Sequence, residues 1–187
     1  MEMKVLAVDP AWTPDRWLDW DEVINAHNRG LVHYPIGETC RVLRGGVNAK
    51  TGQLTTLEVG SILVLDTRGH MAPYSWVPPV TRRLLVARDR HTCAYCLQKF
   101  REKDLTTEHI HPASRGGLLV WTNVVAACAP CNSRKADRRP EEAGMELGFL
   151  PYNPNRNEMM IMSNKFILAD QMEFLSAKLP KHSRLRH

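Results

Sequence analysis

The residues best spaced for chemistry in this chain are four cysteines in two pairs. Cys93 and Cys96 form one C-x2-C knuckle and Cys128 and Cys131 a second, with 31 residues between them. Each knuckle grips one ion as a turn. Two of them make a tetrahedral thiolate cage with no open position, which is the geometry of a structural zinc site. Such a cage holds two chain segments together where hydrophobic burial is thin. Between the knuckles stand the acid–imidazole pair Glu108-His109 and the carboxamide of Asn123, and Asn132 follows the last cysteine. Hydrolysis of a phosphodiester needs an activated water, neutralised phosphate charge and help for the departing oxygen. A neutral imidazole, with an ordinary pKa of about 6.5, takes up a proton at neutral pH. A cation bound by only two protein oxygens keeps positions open for water and phosphate, which suits Mg²⁺ or Mn²⁺.

The positive charge of the chain gathers around these residues. Of the 187 residues, 25 are Lys or Arg and 20 Asp or Glu, a net charge of +5. Residues 81–139 hold 12 basic and 5 acidic side chains, against 7 and 9 in residues 1–80 and 6 and 6 in residues 140–187. A local excess of that size favours a polyanionic partner, most simply nucleic acid. Arg115, Arg134, Lys135, Arg138 and Arg139 are the candidate phosphate contacts, and Gly116 and Gly117 would let the backbone pass close to a strand. No sequence-reading helix is evident, so backbone-dominated binding is expected. Trp121 is a candidate either for the small core or for stacking on a base. No apolar run approaches the ~20 residues of a membrane span, and the N-terminus lacks the basic start and apolar stretch of a secretory signal. With four cysteines assigned to metal, Cys40 remains as a buried, inert thiol. That usage suits a reducing cytoplasm rather than a disulfide framework.

The elements that must position these groups follow from periodicity and punctuation. Residues 4–8 read as a buried strand ended by Pro10 and Pro14. Asp19 or Asp21 caps a helix over about 22–28, with Gly30 past its end. Residues 31–34 and 38–43, then 54–58 and 61–66, read as two pairs of strands around a Gly-rich turn at 44–53. Pro73, Pro78 and Pro79 mark a boundary. The expectation is a mixed α/β region over 1–78, with target choice, dimerisation and bracing of the core all open as its role, a core over 79–148, and a connector, helix and basic tail over 149–187. In the core, a helix over 81–89 leads into the first knuckle. A strand over 105–110 delivers Glu108 and His109, and residues 112–117 form a loop. Thr122 caps a short helix from Asn123, 131–137 is a helix, and Pro140 with two glutamates starts another that runs to about Leu147. A last amphipathic helix covers 163–178, and the tail KHSRLRH is loose.

Three segments together, R88-D-R-H-T-C-A-Y-C, L105-T-T-E-H-I-H-P-A-S-R-G-G and W121-T-N-V-V-A-A-C-A-P-C-N-S-R-K, resemble the HNH endonuclease motif with its four-cysteine zinc site. The resemblance covers roughly residues 81–139 and extends into P140-E-E-A-G-M, a segment that often follows in bacterial and phage members. It implies an α+β fold with a zinc-stabilised, treble-clef-like ββα-metal core: a hairpin and a helix around one divalent metal. His109 matches the general base, and Asn123 the central asparagine that pins the loop orienting it. Asn132 stands where the last histidine of the pattern sits, so the chain is an H-N-N variant in which the side-chain oxygen would bind metal. Glu108 replaces the usual aspartate ligand and reaches one methylene further, which puts the preferred metal in question.

Each residue also has a plain structural role open to it. His109 could be a buried hydrogen-bonded histidine, Glu108 half of a surface ion pair with an arginine, and Asn123 or Asn132 a helix cap. His111 could be a secondary ligand, a phosphate contact or an ordinary polar residue. The expected activity is metal-dependent cleavage or nicking of DNA, with RNA and branched DNA as further substrates to test. The rivals are a non-catalytic zinc-stabilised binding module and the nuclease subunit of a larger phage or defence assembly, with a homodimer as one form of association.

Overall fold

The computed structural model describes residues 3–66 and 77–186. Pro73, one of the three prolines read as a boundary, lies outside the described residues. The fold is mixed α+β, with five α-helices and two small sheets among the described residues. The chain divides into two units, one taking in residues 1–74 and 164–178, the other 75–163 and 179–187.

The first unit is built on a four-stranded sheet. Its strands are β1 (Val5–Val8), β2 (Pro14–Leu18), β3 (Val32–Val47) and β4 (Leu54–Leu65), in the order β2-β1-β4-β3. β1 runs parallel to β4 and antiparallel to β2, and β3 pairs antiparallel with β4. All four residues of β1 are buried, as the unbroken apolar run VLAV demands of a central strand. Pro14 does not merely end the preceding segment. It opens β2, on the sheet edge, where a missing N–H is tolerated.

The helix α1 (Trp20–Asn28) is set by a reciprocal cap. Asp19 accepts from the Glu22 amide at 2.9 Å, and Glu22 accepts from the Asp19 amide at 3.0 Å. Val23 and Ala26 of α1 join Val5, Leu18, Val59 and Leu63 in the core of the unit. The four short strands expected between residues 31 and 66 are two long ones. The register slips between Ile36 and Thr39 and between Thr39 and Arg41. Bulges there absorb what reads in sequence as a break. The helix α5 (Ala169–Ser176) is tied to this sheet through Gln171, whose amide donates to the Lys4 and Ser61 carbonyls at 3.0 and 2.8 Å. It is shorter than the helix expected over 163–178.

The second unit holds α2 (Arg82–Arg88), β5 (Leu105–His109), β6 (Val124–Cys128), α3 (Ala129–Lys135) and α4 (Arg156–Ser163). Thr81 caps α2, accepting from the Leu84 amide at 3.3 Å. β5 and β6 form an antiparallel hairpin with Leu105 opposite Cys128 and His109 opposite Val124. The expected helix at Asn123 is therefore a strand. V-V-A-A-C is buried at every position, and so short an apolar run carries no period that separates strand from helix. The expected helix from Pro140 to Leu147 is a single 3-10 turn, Glu141–Ala143, ended by Gly144 at φ 62°.

The tail is not loose. Ser183 donates to Glu158 Oε1 at 2.5 Å, the Arg184 guanidinium lies 3.6 Å over the Phe149 ring, and His182 meets Tyr152 edge-on.

One ion pair braces the hairpin from behind. Arg88 and Asp89 are fully buried and bonded to each other at 2.7 Å. Arg88 also donates to the carbonyls of Trp121 (2.7 Å) and Val124 (2.8 Å), and Asp89 accepts from the Ala126 amide at 2.7 Å. Burial pushes the Asp89 carboxyl up, and the Arg88 guanidinium opposes that shift. Trp121 belongs to this core, 2% exposed, with its indole N–H on the Pro78 carbonyl. Arg88→Ala would strand a buried carboxylate and remove the bonds to the Trp121 and Val124 carbonyls. It is expected to cost about 3–5 kcal/mol of stability, read as a lowered denaturant midpoint. An unchanged midpoint would show that the pair does not hold the hairpin.

Candidate metal centre and pocket

The two knuckles converge. The first follows α2, its turn closed by Leu97 N–H on the Cys93 carbonyl at 3.0 Å. In the second, Cys128 ends β6 and Cys131 lies in the first turn of α3. The four Sγ atoms lie within 4.8 Å of one another, with Cys96 and Cys128 at 3.9 Å. Zn–S bonds of ~2.3 Å at tetrahedral angles give S···S edges of roughly 3.8 Å, so the cage fits the ion. Burial works against a thiolate at Cys93, but backbone amides of Cys128, Cys96 and Tyr95 outweigh it and bring the group down to about 7. Burial and the neighbouring sulfurs push Cys131 up. Among the described residues this is the cluster with ligand geometry for a metal. Cys40 lies apart, half-buried, its thiol on the Val59 carbonyl and pushed up by burial.

Glu108 and His109 come to one open pocket of about 250 Å³, lined also by Ser114, Lys135, Ala136 and Asp137. Strand alternation and helix pitch explain the facing set. Thr106 and Glu108 point to one side of β5, and the helix α3 lays Asn132 and Lys135, three residues apart, against them. Asn132 Nδ2 donates to Thr106 Oγ1 at 2.9 Å, and Lys135 Nζ bonds Glu108 Oε1 at 2.5 Å.

Three expectations change here. Lys135 is fully buried on Glu108 and is not a surface cation for phosphate. Glu108 does form an ion pair, but with a lysine and inside the fold. Asn132 shares the face of Glu108 yet does not line the pocket.

Asn123 ties the loop beyond β5. Its side chain accepts from the His111 amide at 2.9 Å and donates to the carbonyls of His111 (3.2 Å) and Leu118 (2.9 Å). Gly117 completes that loop, since a Cβ there would collide with the His111 carbonyl. The Nδ1 of His111 is buried with no hydrogen-bond partner.

Of the remaining expected cations, Arg134, Arg138 and Arg139 are exposed, and Arg115 forms a surface pair with Glu142 at 2.8 Å. Asp137 and Ser114, not singled out in the sequence, enter the pocket wall. Asp137 is turned there by Ala136, which sits at φ 53°, ψ −135°, a conformation that favours glycine.

A divalent ion would find hard oxygen donors in this region: the Glu108 carboxylate, the Asn132 carboxamide and the Asp137 carboxylate. The buried Glu108 already takes one cation, Lys135. At the pocket itself a divalent ion would therefore find the oxygens of Glu108 and Asp137, the first in competition with Lys135, while Asn132 stands beside it on Thr106.

A family model described as HNH endonuclease matches residues 93–148, the stretch from the first knuckle through the hairpin and α3. The chain therefore carries an HNH endonuclease domain, of the type with a clustered four-cysteine site. No curated protein matches the chain. Nuclease-type chemistry on nucleic acid is the activity that this domain implies. Among the described residues no helix is long and apolar enough to cross a membrane.

Proposed function

We propose that the chain is a metal-dependent DNA endonuclease in which His109 is the general base. The observation that carries this reading is that Glu108 and His109, adjacent at the end of β5, line one open pocket on the domain matched as HNH endonuclease. His109 would take the proton of the attacking water. Asn123, by fixing the backbone of His111 and Leu118, would hold the loop that follows the base. Glu108 and Asn132 would hold one Mg²⁺ or Mn²⁺, which when bound supplies charge neutralisation at the phosphate. Zinc in the cysteine cage would fix the first knuckle to the start of α3. The exposed Arg134, Arg138 and Arg139, with Arg115, would meet phosphates flanking the cut.

One observation favours a second reading, a zinc-stabilised nucleic-acid-binding module without catalysis. Lys135 sits on Glu108, and Asn132 is turned to Thr106. Supercoiled plasmid separates the two. The nuclease reading expects relaxed or linear product with Mg²⁺ or Mn²⁺ and none with EDTA. Intact plasmid with both metals, alongside measurable binding, would establish the second.

A further inference from the structure

The strands β3 and β4 are longer than the sheet they belong to. Val59 to Leu65 of β4 are buried without a break, whereas Leu54 to Glu58 are exposed except Leu57. On β3, Val42 to Val47 are likewise exposed except Leu43. Leu43 and Leu57 face each other and pack on the core, and beyond them the ribbon is open to solvent on both faces. The pairing nevertheless continues, with Arg44 opposite Thr56 and Val47 opposite Leu54. The turn is built rather than slack. Asn48 Oδ1 accepts from the amides of Lys50 and Thr51, and Gly52 takes φ 68°.

The chemistry of this free stretch is one-signed. From Thr39 to Leu57 there is no acidic residue, while Arg41, Arg44 and Lys50 are basic and exposed. Arg41 lies 4.5 Å over the Trp20 ring at the base of the ribbon. Arg44 and Lys50 lie beyond it, among Gln53, Thr55 and Thr56. An antiparallel two-stranded ribbon fits the major groove of B-form DNA, while the major groove of an RNA duplex is too deep and narrow for it. At ~3.4 Å per residue, the paired stretch from Leu43 to Val47 extends roughly 14 Å, with the turn that carries Lys50 at its tip.

We propose that the distal β3–β4 ribbon is an arm that lies in a groove of duplex DNA, with Arg44 and Lys50 on phosphates. This rests on the reading that the chain acts on DNA, and not on the cleavage chemistry. Beyond Leu43 and Leu57, with Glu38 and Glu58 left at its base, the exposed ribbon carries no acid, is positively charged and is fixed by its own turn, which makes it complementary to a polyanion. It also differs in kind from the arginines after α3, which stand on single turns.

The test is binding of a short DNA duplex to the full chain without divalent metal, over a range of salt. The variants are Arg44→Gln/Lys50→Gln and a protein with residues 46–53 replaced by Asn-Gly. Two lost phosphate contacts should flatten the slope of log K against log salt by about 1.8 and weaken binding roughly 10- to 50-fold at ~0.1 M salt. The wild type should hold an RNA duplex of the same sequence more weakly, with no effect of the variants. An unchanged slope and affinity in both variants overturn the proposal, as does an equal dependence on RNA. So does a change of oligomeric state alone, since the ribbon would then be a self-association surface. Wild-type protein that binds through the arm yet never cuts would leave the arm standing and remove the nuclease reading.

Discussion

His109→Ala is expected to lower the rate of DNA cleavage ~10²- to 10⁴-fold, the usual loss on removing a general base, while duplex affinity stays within about threefold. The separation of the two effects follows from the site. His109 lines the pocket, but it lies at the end of β5 with its backbone paired to Val124 and is not part of the buried core. The cations left on the surface, Arg134, Arg138 and Arg139, do not depend on it. Single-turnover cleavage beside equilibrium binding measures both. Turnover equal to wild type would remove the imidazole from the chemistry. Equal loss of binding and cleavage would make it a contact rather than a base.

The second large effect concerns the sulfur cage. One zinc per chain is expected by elemental analysis, and stripping it with a strong chelator, or Cys128→Ser, should unfold the knuckle-and-hairpin domain. Apparent zinc affinities of structural sites correspond to ~10–16 kcal/mol, comparable with or larger than the ~5–15 kcal/mol by which whole domains are stable. Cys128 ends the strand opposite Leu105, and Cys131 opens the helix that carries Asn132 and Lys135. Without the ion, the strand end and the helix lose their common anchor. The first unit has its own core around Val5, Val23 and Leu63 and should keep its protection from proteolysis. Metal-free protein with an unaltered digestion pattern, or purified protein with no zinc, would refute the cage.

How much of this was legible in the residues depends on range. The knuckles and the start of α1, with its cap left between Asp19 and Asp21, were readable because each is a local spacing. So was the strand carrying Glu108 and His109. Thr81, read as the first residue of a helix over 81–89, is instead the cap of α2. The stretch from Val124 was misread because five buried apolar residues look alike in either structure. The helix α4 was missed although its signal is present. N155-R-N-E158 is a reciprocal cap, with Asn155 and Glu158 each accepting from the other's amide. The tail was misread for the same reason, since Glu158 is the group that Ser183 meets. The role of Lys135 lies beyond local reading. Its partner is far off in sequence, and only the pairing of one strand face with one helix face brings them together. Nothing in the residues announces that Ala136 adopts a glycine-like turn.

The second unit is not continuous along the chain. It is interrupted by residues 164–178 and completed by those from Leu179 on. Glu158, fully enclosed, meets the Ser183 hydroxyl, and Phe149 is covered by Arg184. Removing residues 179–186 would therefore leave Glu158 and Phe149 without the groups that cover them, and would loosen the second unit at a place distant in sequence from the cysteine knuckles.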